Sequence, residues 1–329
     1  MTKQKKWTAL LAALAMLALI LDGKTAMQGA AEGIELCIRT VIPSLFPFLF
    51  LCSLLTGALW GGSYPWLRPV SRRLGIPEGG ESLLIAAVLG GYPAGAQAVG
   101  QAWQQGRLEQ KQAEHLLRFC SNAGPAFLFG MAARQFPDRY SAWGLWCIQI
   151  LSAGIVGALG AAPEPSHVCL SAKGTDISQN LVQTIKTMAV ICGWILLFRI
   201  LSDMGKRWLF CFFPKELQVA LTGILELSYG CCCLNQIENL PLRFFLCSGL
   251  LAFGSLCVTM QTACTIGTLP LRPYLQGKLL QTGIALGLSA LYLTNWRYFL
   301  LLAGGCVLTA AVIPKKTVDF PGVWVYNRK

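Results

Sequence analysis

Long apolar runs, rather than amphipathic stripes, recur along the whole chain. They cover residues 7–21, 41–60, 82–100, 142–162, 187–201, 244–268, 281–293 and 298–313. A membrane-crossing helix needs about 20 predominantly apolar residues, and several runs reach or approach that length. The shorter runs would be re-entrant halves, or spans completed by their flanks. The pattern therefore predicts an all-α polytopic membrane bundle with about eight to ten embedded segments.

Composition agrees with this prediction. The 329 residues are 54% hydrophobic and only 13% charged, and the mean hydropathy is +0.54. Soluble domains carry about 25% charged residues, so a chain this poor in charge cannot easily build a water-facing surface. A soluble globular protein is thereby excluded.

Basic residues flank the outermost apolar runs. Three lysines precede the first run, and further basic residues follow the last: Lys3, Lys5, Lys6, Lys315, Lys316, Arg328 and Lys329. The positive-inside rule places both termini in the cytoplasm of a bacterial cell, with the chain in the inner membrane. The first run also resembles a signal peptide, but the membrane runs after it favour an uncleaved helix. Basic loops facing an anionic leaflet account for the net charge of +12, so we expect no nucleic-acid partner.

A polar connector at residues 163–180 divides the chain into two similar parts. We predict an N-terminal transmembrane helix at 1–30, a first half at 31–162, a second half at 181–314 and a cytoplasmic tail at 315–329. In each half a long apolar helix is followed by a basic stretch and then by an apolar run that ends in polar amides. On this pattern residues 82–97 correspond to residues 248–261. Paired halves with interrupted helices are typical of secondary transporters.

The segment GGYPAGAQ at residues 90–97 interrupts one of the apolar runs. Its glycines and proline free backbone groups that lipid cannot satisfy, so such a break is tolerated only inside protein or beside a wet cavity. We therefore predict a substrate-binding site that includes Tyr92, Pro93, Gly95 and Gln97. The alternative is a proline kink in which small residues only allow close helix packing.

Polar residues interrupt two further apolar regions. Ser121, Asn122 and Pro125 form a second break, in which Ser121 or Asn122 could cap the next helix or face a ligand. Thr259 and Gln261 lie within the run at residues 244–268. These five residues join the predicted binding site. The alternative for Thr259 and Gln261 is hydrogen bonding between helices.

Glu226 is the one acid deep inside an apolar stretch. A carboxylate within a membrane is costly and points to a proton or cation partner, so Glu226 is the candidate coupling acid. The alternative is that residues 217–230 form an interfacial helix on which the Glu226 side chain is exposed to water. Arg199 and Asp203, one turn apart, are predicted to form an ion pair.

The sequence offers little for catalysis or metal binding. It lacks GxSxG, HExxH, GxxxxGK[ST] and GxGxxG motifs, and it has only two histidines. The 14 cysteines show no spacing at which ligands would converge, and most lie singly in apolar runs. We expect no enzyme activity, no cofactor and no metal site.

Several motifs together resemble the YlbJ family of sporulation integral membrane proteins. GGYPAGAQ, QKQAEHLLRFCSNAGP, IPSLFPFLFLCSLL, GILELSYG and FGSLCVTMQTACTI occur in the family's order between residues 34 and 281. The resemblance implies a Gate-type ("nucleoside recognition") domain with two related halves and broken helices, and a role in spore formation, notably of the cortex. It carries over to Tyr92, Pro93, Gly95, Ala96, Asn122, Pro125, Glu226 and Gln261. Tyr229 departs from it, because the family implies a smaller polar residue there.

Together these features predict a Gate-domain membrane protein of sporulation that transports a small polar solute. The alternative is a non-transporting membrane scaffold or assembly factor. The expected partners are the lipid bilayer and an unnamed solute, and the sequence leaves homo-oligomerisation open.

Overall fold

The computed structural model describes residues 3–62, 64–160 and 176–312. Within these ranges the chain is α-helical, with no β-strand. The helices before the connector are α1 (Lys3–Leu21), α2 (Gly23–Leu36), α3 (Ile42–Ala58), α4 (Arg68–Arg73), α5 (Ser82–Leu89), α6 (Ala94–Gln104), α7 (Gln110–Leu117), α8 (Pro125–Gly130) and α9 (Arg139–Leu159). Those after it are α10 (Ile177–Trp208), α11 (Lys215–Leu225), α12 (Leu227–Cys233), α13 (Leu240–Phe253), α14 (Leu256–Thr265), α15 (Arg272–Thr294) and α16 (Trp296–Val312).

Four helical stretches of the described residues are long and apolar enough to cross a membrane: Gly23–Ala58, Arg139–Leu159, Ile177–Trp208 and Leu240–Thr265. Many of their large apolar side chains are exposed, including Leu51, Trp143 and Leu197. Exposed apolar surface of this extent would be unfavourable in water and is suited to lipid. The predicted class, an all-α polytopic membrane bundle, is confirmed. The number of embedded segments stays a prediction.

Several helix boundaries differ from those predicted. The first helix ends at Leu21 rather than near residue 30, because the Asp22 carboxylate is held by Arg207 and Trp208 of α10, each at 3.1 Å. The apolar run at 41–60 belongs to a longer helix, since α2 continues into α3 through a π-helical turn at Cys37–Val41. Helix α10 begins at Ile177, inside the connector predicted at 163–180, and is capped by Asp176. Residues 163–175 of the connector and the tail at 315–329 lie outside the described residues.

Apart from the short helix α4 between α3 and α5, the described helices follow the same order on both sides of the connector. A long helix (α3 or α10) is followed by two interrupted helix pairs and then by another long helix (α9 or α15). By this order α5/α6 corresponds to α11/α12, and α7/α8 corresponds to α13/α14. The sequence pattern matched residues 82–97, which form α5/α6, with residues 248–261 in α13/α14. The order of helices instead matches α5/α6 with the preceding interrupted pair, α11/α12. The sequence pattern missed the break at Glu226, because a single non-helical residue between apolar neighbours leaves no polar run.

The first two interruptions pack backbone against backbone. A Cβ added to Gly95 would overlap the carbonyl oxygen of Cys120, and one added to Gly124 would lie 2.7 Å from the Cα of Gly91. Gly91 also has φ +73°, a conformation that glycine adopts at little cost. Glycine is needed here because the α5/α6 break lies directly against the α7/α8 break.

We expect Gly95→Ala to destabilise the protein by about 1–3 kcal/mol, because the added methyl group must push the two breaks apart. Thermal unfolding in detergent would measure the loss. Gly154→Ala is the matched control, since it lies in α9 with open space around its Cα. Equal unfolding temperatures for the two variants would show that the breaks are not closely packed.

Candidate functional site at the helix breaks

Four interruptions bring non-helical backbone into the interior of the bundle. They lie at residues 90–93, 118–124, 226 and 254–255. Ser255 is fully buried and has φ 111°, which is strained for a residue with a side chain. Its hydroxyl accepts a hydrogen bond from the Val258 amide at 3.2 Å and so caps α14. The predicted discontinuity at residues 90–97 is thus present in the fold, whereas the one predicted at Thr259 and Gln261 lies earlier, at residues 254–255, and both of those residues are inside α14.

Tyr92 joins the α5/α6 break to the α13/α14 break. The Tyr92 hydroxyl donates to the Leu251 carbonyl oxygen at 3.0 Å. Its ring packs beside Gly254, where an added Cβ would lie 3.1 Å from the ring. Leu251 lies in the last turn of α13, where carbonyl groups have no partner within the helix. Tyr92 therefore satisfies a backbone group that the second break leaves free.

A chain of buried polar side chains continues from Tyr92 to the α7/α8 break. The Lys278 ammonium of α15 donates to the Tyr92 hydroxyl at 3.0 Å and to Gln281 Oε1 at 2.7 Å. Gln281 Nε2 then donates to Asn122 Oδ1 at 2.8 Å. Asn122 Nδ2 donates in turn to the Phe119 and Ala87 carbonyl oxygens, at 2.7 and 3.3 Å. Three of the four interruptions are thereby connected through side chains.

Two residues of helix α9, Gln149 and Ser152, also contact this network. Gln149 Nε2 donates to the Leu251 carbonyl oxygen at 3.2 Å. Gln281 Nε2 also lies 3.5 Å from the Ser152 hydroxyl. Lys278, Gln281 and Ser152 are fully buried. Every member of such a network must be satisfied, because an unpaired polar group is costly in this environment.

A small cavity of about 30 Å³ lies beside the network. It is lined by Leu45, Tyr92, Phe127, Ile191, Ile195, Glu226, Leu227, Ser228, Val258 and Gln261. The space is large enough for a water molecule but too small for a metabolite. Tyr92, Gln261 and Glu226, which were predicted from three separate motifs, thus meet at one cavity.

Glu226 is buried and forms the break between α11 and α12. Its carboxylate accepts hydrogen bonds from the backbone amides of Ser228 at 3.0 Å and Tyr229 at 2.6 Å. The alternative of a wet Glu226 on a continuous interfacial helix is wrong, because the helix stops at this residue and its side chain is 1% exposed. Two backbone donors stabilise a carboxylate at this depth.

The predicted ion pair between Arg199 and Asp203 is present, with Nε and Oδ2 3.0 Å apart. Arg199 also pairs with Glu32 of α2. Its guanidinium lies 3.3 Å from the ring centroid of Tyr229, and Lys206 lies 3.9 Å from the same centroid. Tyr229, which departs from the family pattern, therefore provides an aromatic face for two cations.

A much larger space of about 960 Å³, which we call the vestibule, opens between α3, α6 and the start of α10. Seven amide side chains line it: Gln97, Gln101, Gln104, Gln105, Gln179, Asn180 and Gln183. Leu49 lines the vestibule and Leu45, one turn earlier on α3, lines the small cavity, so the two spaces are neighbours. Gln97 Nε2 is hydrogen-bonded to the Thr187 hydroxyl at 3.0 Å.

The remaining predicted site residues lie at helix ends or bond their own helix, and they do not line the small cavity. The Thr259 hydroxyl bonds the Ser255 carbonyl of its own helix, at 2.9 Å. Pro93 precedes α6, and Pro125 begins α8. Ser121 is fully buried, and its hydroxyl has no hydrogen-bond partner among the described residues. Their part in ligand binding stays a prediction.

The sequence interpretation missed Lys278, Gln281, Gln149 and Ser152. The predicted apolar run begins at residue 281 and so leaves Lys278 outside it, whereas α15 starts nine residues earlier, at Arg272. Lys278 and Gln281 are three residues apart and so share a helix face with Tyr274. The signal that could have identified Lys278 was its helical spacing from Gln281 and from the apolar run that follows, which places a lysine on a helix that continues into that run.

No group of three or more His, Cys, Asp and Glu residues that could hold a metal ion occurs in the part of the chain that the structure describes. The adjacent cysteines Cys231 and Cys232 differ in exposure, the first buried and the second exposed. That the protein binds neither metal nor cofactor stays a prediction.

Comparison with known proteins gives one relative. The chain is 24% identical over 313 residues to the sporulation integral membrane protein YlbJ of Bacillus subtilis (strain 168), with 78% of this chain and 75% of the relative covered. This similarity supports the resemblance to YlbJ that the sequence motifs indicate. No family model matches the chain, and no solved structure matches it. The relationship of YlbJ-like proteins to Gate domains therefore stays a prediction for this chain.

In this YlbJ-like chain we expect Tyr92→Phe to lower stability by about 1–3 kcal/mol. The change deprives the buried Lys278 ammonium of one acceptor and the Leu251 carbonyl of one donor. Denaturation of the purified protein in detergent would measure the effect. Tyr298→Phe is the control, because Tyr298 is exposed on α16. Equal losses, or none for either variant, would mean that the network does not stabilise the fold.

Proposed function

We propose that this multi-pass membrane protein acts in sporulation by binding a small polar solute and moving it across the membrane. The observation that carries the proposal is the meeting of interrupted helices from both halves at a small cavity, where Tyr92, Glu226 and Gln261 lie among apolar residues next to the open vestibule. Non-helical backbone inside a membrane is tolerated where it lines such a space, and transporters place their substrates there. The role is not enzymatic.

The lining of the vestibule indicates the class of solute. Its polar surface is supplied mainly by amides, with Arg107 and Asp176 as the charged residues among those described. Amides both donate and accept hydrogen bonds, so they suit an uncharged solute with several hydroxyl or amide groups. A volume of about 960 Å³ is ample for such a molecule, since ligand sites commonly measure about 300–1,000 Å³.

Glu226 is the coupling acid in this proposal. It faces the small cavity, is buried, and is held by backbone amides rather than by a side-chain ion pair. A carboxylate at this depth can take up and release a proton as the cavity opens and closes. Gln97 would contact the solute in the vestibule, and Tyr92 and Gln261 would contact it where the breaks meet.

The sporulation role is supported by the YlbJ relative, which is a sporulation integral membrane protein. A function in forming the spore cortex is the finer proposal. It fits a transported solute that is a building block of the cell wall, because such compounds carry many hydroxyl and amide groups.

A non-transporting scaffold or assembly factor is the second candidate. One observation favours it: Asn122 and Tyr92 bond other residues of the protein and Thr259 bonds its own helix, so much of the predicted site is already satisfied. Under this proposal the same residues hold the breaks together. Either function could delay the same developmental step, so transport itself must be measured.

Uptake into liposomes containing the purified full chain distinguishes the two. Nucleosides, metal ions and cell-wall precursors, first ranked by thermal shift, would be the solutes. We expect uptake of an uncharged, hydroxyl-rich or amide-rich solute, reduced about tenfold or more in Gln97→Ala/Gln261→Ala through loss of two hydrogen-bonding amides. Gln276→Ala, exposed on α15, is the control. Uptake that is equal in wild type and the double variant would remove Gln97 and Gln261 from the mechanism, and no uptake of any class would favour the scaffold.

Glu226→Gln tests the coupling acid. Glutamine retains one oxygen that can accept from a backbone amide at the α12 N-terminus, so we expect the variant to fold. Because it cannot take up or release a proton, uptake should lose its dependence on a pH gradient. Glu216→Gln, an exposed change at the start of α11, serves as the matched control. A pH response that persists in Glu226→Gln would assign coupling to another group.

A further inference from the structure

The C-terminal end of α13 is a concentrated source of negative potential inside the bundle. Its last carbonyl groups have no continuing helix to bond, and the helix dipole adds a partial negative charge there. The Leu250 oxygen accepts from the Gly254 amide at 2.9 Å. The Leu251 oxygen accepts from Tyr92 and Gln149, at 3.0 and 3.2 Å. The Ala252 oxygen receives the Lys278 ammonium, at 3.4 Å.

Three uncharged oxygen atoms surround the Lys278 ammonium. They are Gln281 Oε1 at 2.7 Å, the Tyr92 hydroxyl at 3.0 Å and the Ala252 carbonyl oxygen at 3.4 Å. An ammonium group has three hydrogens to donate, so each can be matched to one of these acceptors. The ring of Tyr92 also lies 4.9 Å from the ammonium nitrogen and adds a cation–π contact.

No carboxylate of the described residues forms an ion pair with Lys278, although its side chain is fully buried. A buried ammonium normally requires a paired acid. Here the charge is balanced instead by dipoles: a helix C-terminus, an amide and a phenol. Uncharged oxygens at the end of an interrupted helix are also the ligands that hold Na⁺ in membrane transporters.

We propose that the Lys278 ammonium is a tethered cation occupying a monovalent-cation site at the α13 C-terminus. The intact chain accordingly needs no dissolved cation at this position, because the fold carries its own. The Lys278 side chain connects α15 to the α13/α14 break and, through Tyr92, to the α5/α6 break. This inference holds whether or not the protein transports a solute, since it concerns what stabilises the breaks.

Removing the ammonium while keeping its oxygen ligands tests the proposal. Lys278→Ala leaves a space with the shape of n-propylammonium, whereas Lys278→Met fills the space with an uncharged side chain. The unfolding temperature of the full chain in detergent, followed by tryptophan fluorescence, would be measured at equal ionic strength in n-propylammonium chloride and tetramethylammonium chloride. Both salts supply a monovalent cation, but only the first can donate N–H hydrogen bonds and fit the space.

We expect wild type to unfold at the same temperature in both salts. Lys278→Ala should unfold several degrees lower in tetramethylammonium and recover much of the difference in n-propylammonium. Lys278→Met should remain low in both. If Lys278→Met is as stable as wild type, the lysine only fills space. If Lys278→Ala is equally stable in both salts, the site does not hold a cation. Each of these results overturns the proposal, and none depends on solute uptake.

Discussion

Backbone groups released by an interrupted helix must find partners inside the protein, because lipid offers none. Most of this structure can be understood from that constraint. The fold has four interruptions, and at two of them, α5/α6 and α13/α14, freed carbonyl groups accept hydrogen bonds from side chains elsewhere in the bundle. At the other two the partner is local: Asn122 donates to the Phe119 carbonyl oxygen within the α7/α8 break, and the Glu226 carboxylate accepts from the amides that begin α12. Each interruption thus requires a particular polar residue at a particular place in the tertiary fold.

The network centred on Lys278 shows how far this requirement extends. Tyr92, Asn122 and Gln281 come from distant parts of the sequence, yet they form one continuous set of hydrogen bonds in the interior. Loss of one member would leave the others unpaired, which is why buried polar networks are either complete or destabilising. The close backbone contact at Gly95 serves the same end, because it places Asn122 within reach of the first break.

This arrangement also divides two tasks between neighbouring sets of residues, with Tyr92 belonging to both. The network around Lys278 is internally satisfied and holds the breaks in place. The small cavity at Glu226 and Gln261 and the amide-lined vestibule keep polar groups next to open space. A rigid, satisfied region beside an open polar one is what a binding site within a membrane needs, since the site must be held in shape while its ligand exchanges. The proposed transport function depends on this division.

The sequence by itself determined the membrane class, because the long apolar runs cannot be buried in any other way. It also located the interruption between α5 and α6, because the glycines and proline at residues 90–97 disrupt a helix. It placed the second interruption at Thr259 and Gln261, a few residues after the true break at 254–255. Tyr92, Asn122, Glu226 and Gln261 were predicted as site residues because polar groups are costly inside a membrane.

Only the tertiary structure decided which of these residues meet. Local pattern carries no information about contacts between residues 92 and 251 or between residues 122 and 281. It likewise could not show that Lys278, which lies outside the predicted apolar runs, is fully buried, because that depends on where α15 begins and on the helices packed around it.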